Sequence, residues 1–260
     1  MADGASALAA AERQDRLEAW GGVALTVLSL AALWQGLHYL AGDSAIASLP
    51  ATLRETWHLL SGPRYWPHFR ETMSAFLWAL LIAVTGGVGI GVALGGHRLS
   101  GEVAEPVLVA LYSIPKVTLY PVVLLFFGIG LNAKIAFGAL HGVIPVAIFA
   151  MNAVRNVNPT WLRTAATMNL GPLQTARHIL VPATIPEIFS GLRIGLSLTL
   201  LGVMIGELFA SQRGIGHLLM TSIEVHDVRR IMAVVLIVSV LAVTLNALML
   251  AIDRRLHRRV

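Results

Sequence analysis

The stretch NPTWLRTAATMNLGPLQTARHILVP, Asn158–Pro182, is a polar insert in a chain that otherwise reads as membrane. Asn158-Pro159 suits a helix start, because Asn can cap and Pro fits the first helical position. Thr160–Met168 are good or tolerable helix formers. Asn169 falls where that helix should end, and Asn is one of the few residues that accept a left-handed C-terminal position. Gly171-Pro172 restarts a helix, LQTARHILVP carries it to Pro182, and Pro186 opens an apolar run. The stretch therefore predicts helix, sharp turn, helix. A solvated connector would meet the same local signals, but the connector near 97–104 is much shorter. Two structured helices held off a membrane suggest a surface for a partner.

The surroundings justify the word membrane. Of 260 residues, 56% are hydrophobic and 13% charged, against about 25% charged in a soluble domain. Trp20–Leu40, Met73–Gly96 and Ile231–Ile252 carry no charge at all. About 20 apolar residues cross a bilayer as helix, and lipid offers backbone groups no other partner. Six spans follow, near 20–41, 72–96, 106–128, 133–154, 186–209 and 230–252. The fold class is an all-α membrane protein of six transmembrane helices, with a loop over 155–185 between the fourth and fifth. The spans fill a single domain over 20–252. Residues 1–19 read as an N-terminal amphipathic or disordered tail, and residues 253–260 as a basic tail.

An even number of spans puts both termini on one side. If that side is cytoplasmic, the inside segments hold Arg13, Arg16, Arg98, Arg155, Arg163, Arg177, Arg254, Arg255, Arg258 and Arg259. The outside segments hold Arg54, Arg64, Arg70, Lys134, Arg213, Arg229 and Arg230. The basic excess lies inside, which favours cytoplasmic termini and a cytoplasmic 155–185 loop. Basic residues gathered at span ends also argue for lipid anchoring over nucleic acid. Between the first two spans, Leu53, Trp57 and Leu60 share a helical face and predict a short helix lying on the outer surface.

Much chemistry is missing. No G-x-x-x-x-G-K-[ST] loop is present, so nucleotide hydrolysis is not expected of this chain, and no H-E-x-x-H or G-x-S-x-G is found. There is no cysteine, and the scattered histidines suggest no metal site. An intramembrane enzyme is therefore disfavoured. A secondary transporter is the alternative, but neither an inverted repeat nor a set of buried acids is visible.

The insert resembles the cytoplasmic loop of permease subunits in bacterial binding-protein-dependent ABC importers of type I. In that family Glu-Ala-Ala precedes a Gly by three residues, and a following helix ends in hydrophobic–Leu–Pro. Counting back from Pro182 by that spacing places the Gly position at Asn169 and the Glu-Ala-Ala on Arg163, Thr164 and Ala165. Only Ala165 matches by identity. Leu180-Val181-Pro182, Pro186 and GLRIGLSLTLLGVMIGELFAS match better. LYSIPKVTLYPVVLLFFGIGLNAKI is similar to the branch handling sulfonates, taurine and nitrate. The resemblance covers about 50–255.

It implies a permease working as a dimer, a homodimer in the simplest case, in the bacterial inner membrane. Two separate ATP-binding subunits would hold ATP and magnesium, this chain needing no cofactor, and a periplasmic protein would deliver the solute. The first insert helix would be the coupling helix, with Pro159, Arg163, Thr164, Ala165, Asn169, Leu170 and Gly171 at the ATPase contact. The solute would be small and anionic.

Path candidates are Ser113, Lys116, Tyr120, Asn152 and Glu207. A lysine at a span centre costs roughly 2.5–3.5 kcal/mol on insertion scales and should face protein or water. Lys116 either draws an anion into a path or pairs structurally with Glu207 or a carbonyl. Glu207 shapes an outer gate or is an ordinary interfacial carboxylate, and Ser113, Tyr120 and Asn152 could equally be helix–helix glue. Arg193 reads as snorkelling to headgroups, His141 as a satisfied core histidine, and Gly87, Gly91 and Gly95 as a packing ridge.

Overall fold

The apolar runs become long helices, because each backbone group in lipid must be satisfied within its own segment. In the computed structural model, residues 2–209 and 211–257 are described, with side-chain surroundings for 21–209 and 211–253. Five stretches are long and apolar enough to cross a membrane: Gly21–Ala41, Tyr65–Gly95, Leu131–Arg155, Pro172–Phe209 and Val228–Asp253. A sixth crossing is made if the bent pair Arg98–Ser113 and Lys116–Phe127 counts as one.

In chain order these are α1 (Ala2–Ala41), α2 (Leu49–Ser61), α3 (Tyr65–Gly95) and α4 (Arg98–Ser113). A 3-10 turn, Lys116–Leu119, leads into α5 (Tyr120–Phe127). Then come α6 (Leu131–Arg155), α7 (Pro159–Thr167), α8 (Pro172–Thr175) and a π turn (Ala176–Leu180). The chain closes with α9 (Val181–Phe209), α10 (Ile215–Glu224) and α11 (Val228–His257). The helix of α1 runs on through the segment expected as an N-terminal tail, and Arg258–Val260 of the basic tail lie outside the described residues.

Close approach of small residues builds the core, which α3, α6 and α9 form together. Gly87, Gly91 and Gly95 are buried on one face of α3. A Cβ on Gly91 would overlap the Ala147 carbonyl of α6. Only the missing side chains let the backbones approach this closely, so the glycine ridge is a packing device. Phe137, Ala139, Ala147 and Ala150 of α6 are buried, as are Leu196, Leu200 and Val203 of α9. His141 is 7% exposed, and its Nδ1 lies 2.9 Å from the Phe137 carbonyl oxygen, the satisfied state expected of it.

The third expected span is not one straight helix. α4 and the segment Lys116–Phe127 meet at 82°. Pro115 has no N–H and restricts Ile114 to an extended backbone, observed at φ −62° and ψ 132°, so the α4 ladder stops there. α2 packs against α11 through a face that buries Thr52 and Leu59. Leu53 and Trp57 point outward, 53% and 72% exposed, as an interfacial helix requires, whereas Leu60, expected on the same face, is half-buried and packs against the core. α1 is tied down at its end, where Trp34 Nε1 donates to the Ala47 carbonyl at 3.0 Å and Gln35 Oε1 accepts from the Leu49 N–H at 3.2 Å.

Candidate functional site

The polar insert folds as its residues dictate. Asn158 Oδ1 accepts from the Thr160 N–H at 2.9 Å, and Pro159 opens α7. Asn169 takes a left-handed backbone with φ 52° and reverses the chain. The Leu170 N–H donates to the Ala165 carbonyl at 3.0 Å, a 6→1 closure that satisfies a terminal helix carbonyl. The Gly171 N–H then donates to Gln174 Oε1 at 3.0 Å and Pro172 starts α8. Ala165 is buried, while Thr164 and Arg163 are exposed beside Trp161, Leu162 and Met168, which are 50%, 40% and 66% exposed. Leu170 and Gly171 are half-buried in the turn. The insert thus presents an apolar face with a cation on it, far more than a solvated connector needs.

One difference from expectation lies beyond the turn. The second insert helix and the fifth span are a single rod, Pro172–Phe209, of 38 residues. Pro182 and Pro186 do not break it. A π turn precedes Pro182, with the Val181 N–H donating to the Ala176 carbonyl five residues back, and such a bulge absorbs the proline without ending the helix.

At the opposite end of the bundle an ion network closes the chain on itself. Glu207 is 0% exposed. Its carboxylate accepts from Thr72 Oγ1 at 2.8 and 3.0 Å and from the Gly216 N–H at 2.9 Å. Lys134 Nζ stands 3.7 Å from Glu207 Oε1 and 3.1 Å from Glu71 Oε1, and donates to the Arg213 carbonyl at 2.6 Å. Gly214 sits over the carboxylate at φ 125°, and a Cβ there would overlap Glu207. Tyr120, also buried, donates its hydroxyl to the Gly206 carbonyl at 2.6 Å. Lys134 was expected in an outer segment. It lies in the first turn of α6, buried with Glu207 and paired also with the half-buried Glu71, because an ammonium at that depth is stable only when paired.

The five path candidates therefore do not converge on one point. Tyr120 and Glu207 meet in this outer network. Ser113 and Lys116 flank the bend, where Ser113 Oγ donates to the Val109 carbonyl at 2.9 Å. Lys116 Nζ donates to the Tyr112 carbonyl at 3.0 Å and lies 4.9 Å from the Tyr112 ring centroid, so of its two structural readings the carbonyl is the one realised. Asn152 is half-buried near the loop end of α6. Sequence reasoning missed Glu71, Thr72 and His68, whose Nδ1 lies 3.1 Å from the Gly214 backbone N–H. Their signal was faint, since a Thr, a Glu and a His at the start of an apolar span look like ordinary interfacial residues.

A cleft of about 440 Å³ lies between α9, α11 and the end of α4. Arg193, Ser190, Ser197, Asn246 and Tyr112 are among the residues that line it, and Ser197 Oγ donates to Asn246 Oδ1 at 3.2 Å. Arg193 forms no ion pair among the described residues. Its guanidinium thus stands in a mainly apolar groove whose polar groups include Ser190, Ser197, Asn246 and Asp253. Among the described residues no group of three His, Asp or Glu is placed to hold a metal ion.

Long apolar helices with a glycine-packed core, a bent pair and a capped helical loop held outside them define a membrane translocator. The chain belongs to the family of binding-protein-dependent transport system inner membrane components, whose model matches residues 74–260. It is 27% identical over 213 residues to the taurine transport system permease protein TauC of Escherichia coli strain K12, covering 80% of this chain and 78% of that protein. It is 29% identical over 239 residues to the riboflavin transport system permease protein RibX of Chloroflexus aurantiacus, covering 91% and 89%. Its fold matches a chain of the MetNI methionine ABC transporter in an inward-facing conformation, with a TM-score of 0.60 at 18% identity, covering 80% of this chain and 99% of that one. It is an ABC importer permease subunit, a multi-pass protein of the inner membrane.

Proposed function

We propose that two copies of this chain enclose the path for a small anionic solute, such as a sulfonate, taurine, nitrate or a similar organic acid. Two separate ATP-binding subunits, holding ATP and magnesium, seat on α7, and a periplasmic solute-binding protein delivers the cargo. The α7 loop and both termini then face the cytoplasm. The observation that carries this reading is the α7–Asn169–α8 unit, a rigid capped reversal with an exposed apolar face around Arg163. Arg163 stands where the related motif has Glu, so the ATPase groove should offer an acid to it. Ser113, Lys116 and Asn152 belong to the path on this reading. Glu207 and Tyr120 shape its outer end through the buried network. Lys116 at the bend, with no carboxylate partner among the described residues, favours an anion in the low dielectric of a membrane. The 29% identity to a riboflavin permease favours a second reading, a flat heterocyclic solute.

The test is reconstitution of the full chain with its ATPase and binding protein in vesicles. Uptake should require both partners and ATP, and small anions should compete where riboflavin does not. Uptake by this chain alone on an ion gradient would make it a secondary carrier and overturn the reading. Lys116→Met should weaken transport of an anion; unchanged apparent affinity would remove Lys116 from the path.

A further inference from the structure

At the end of the bundle opposite α7, where α2, α3, α10 and α11 meet, lies a cavity of about 290 Å³. Its polar side chains are His58, Arg64, Tyr65, His68 and Arg230, and no carboxylate among the described residues lines it. Nε of Arg230 is buried and meets no hydrogen-bond acceptor among the described residues. Asp227 is close by, but its Oδ1 accepts from the Arg230 backbone N–H at 3.1 Å and forms no ion pair with the guanidinium. His68 Nδ1 is engaged by the Gly214 backbone, 3.1 Å from both its N–H and its carbonyl oxygen. The first residues of α3 also border the cavity, and no side chain caps that helix. The positive end of its dipole adds to the field in the cavity. Leaving a buried charged donor unmet is costly, so a cavity that holds two guanidiniums and no carboxylate is incomplete by itself.

Its depth indicates what completes it. Trp57, beside His58, is 72% exposed, and Trp66, beside Tyr65, is 44% exposed. Exposed tryptophans at helix ends mark the headgroup level of a bilayer. We propose that the cavity binds a phosphate-type oxyanion, supplied by the headgroup of an anionic phospholipid in the leaflet opposite the α7 loop. Bound there, the phosphate bridges α2, α3 and α11 and holds the surface helix α2 against the bundle. The proposal is independent of which solute the protein carries.

The test uses the full chain in nanodiscs of phosphatidylcholine alone or with phosphatidylglycerol, followed by native mass spectrometry and thermal melting. Phosphatidylglycerol should be retained and raise the melting temperature, and phosphatidylcholine should do neither. Arg230→Gln removes one charge-assisted contact and should weaken that retention by about tenfold. If Arg230→Gln does not fold, Arg64→Gln on the exposed rim carries the same test with the same sign. Equal retention of the two lipids, or wild-type retention by the variants, overturns the site. Inorganic phosphate giving the same melting shift as phosphatidylglycerol identifies a free-anion site and overturns the lipid assignment. Loss of binding-protein docking with lipid retention unchanged makes the cavity a protein contact and equally overturns the proposal.

Discussion

Lys134→Met tests the outer network. In the wild type Lys134 Nζ donates to Arg213 O at 2.6 Å and to Glu71 Oε1 at 3.1 Å, and pairs electrostatically with Glu207 Oε1 at 3.7 Å. Methionine fills similar space but leaves Glu207, 0% exposed, without its cation. Breaking a buried pair from one side costs about 3–5 kcal/mol. Glu207→Gln is gentler. Lys134 keeps Glu71 and the Arg213 carbonyl, and the lost acceptor bonds to Thr72 and Gly216 cost about 1–3 kcal/mol. The double variant leaves no buried charge unpaired at Glu207, so its loss should fall short of the sum by about 1–3 kcal/mol. Unfolding in mixed micelles with rising SDS, followed by tryptophan fluorescence, reads all three. If Lys134→Met unfolds at the wild-type SDS fraction, or the two losses simply add, the ammonium does not hold Glu207 and the reasoning fails.

Gly91→Ala should lower stability by about 1–3 kcal/mol, because its Cβ meets the Ala147 carbonyl of α6. Gly89→Ala, with nothing within 4 Å of its Cβ, should be neutral or better in the same melt. Asn169→Val should destabilise the insert by more than about 1 kcal/mol and Asn169→Gly hardly at all, since the position needs φ 52°; proteolysis of the loop measures both. Arg163→Glu should leave melting unchanged, because the side chain is exposed, yet lower the stimulation of a partner ATPase several-fold; undiminished stimulation would exclude a charge contact there.

Local chemistry made the insert legible. Asn158, Pro159, Asn169 and Pro172 each favour one backbone state, and neighbours supply their hydrogen bonds. The spans were legible because lipid leaves an apolar run no alternative to helix. The bend was not. Pro106, Pro145 and Pro186 lie inside continuous helices, so the presence of Pro115 could not show by itself that the ladder would end. The outer network was hidden for another reason. Thr72 and Glu207 are 135 positions apart in the chain, and only the packing of α3, α6 and α9 brings them together. Glu207 was noticed as an acid in an apolar span, but Lys134 looked like a surface residue because its depth depends on the loop at Arg213 folding over it.

The rod Pro172–Phe209 joins these two regions without interruption. At 38 residues it is about 57 Å long. Its first turn follows the Asn169 reversal, and its last turns hold Gly206 and Glu207, to which Tyr120, Thr72 and Gly216 are bonded. On the proposed reading, a push on α7 reaches the outer end through one continuous backbone and not through a chain of loosely packed contacts. The π turn at Ala176–Leu180 is the place where that rod has a second hydrogen-bond register available. Force delivered at Arg163 can therefore divide in two ways. It can tilt the whole rod against the glycine-packed α6, or it can be absorbed as a register shift before Pro182. Burial of Gly195, Leu196, Thr199 and Leu200 in the core resists the first motion. Ala176, Arg177, His178, Ile179 and Leu180, each half-buried or exposed, offer little resistance to the second.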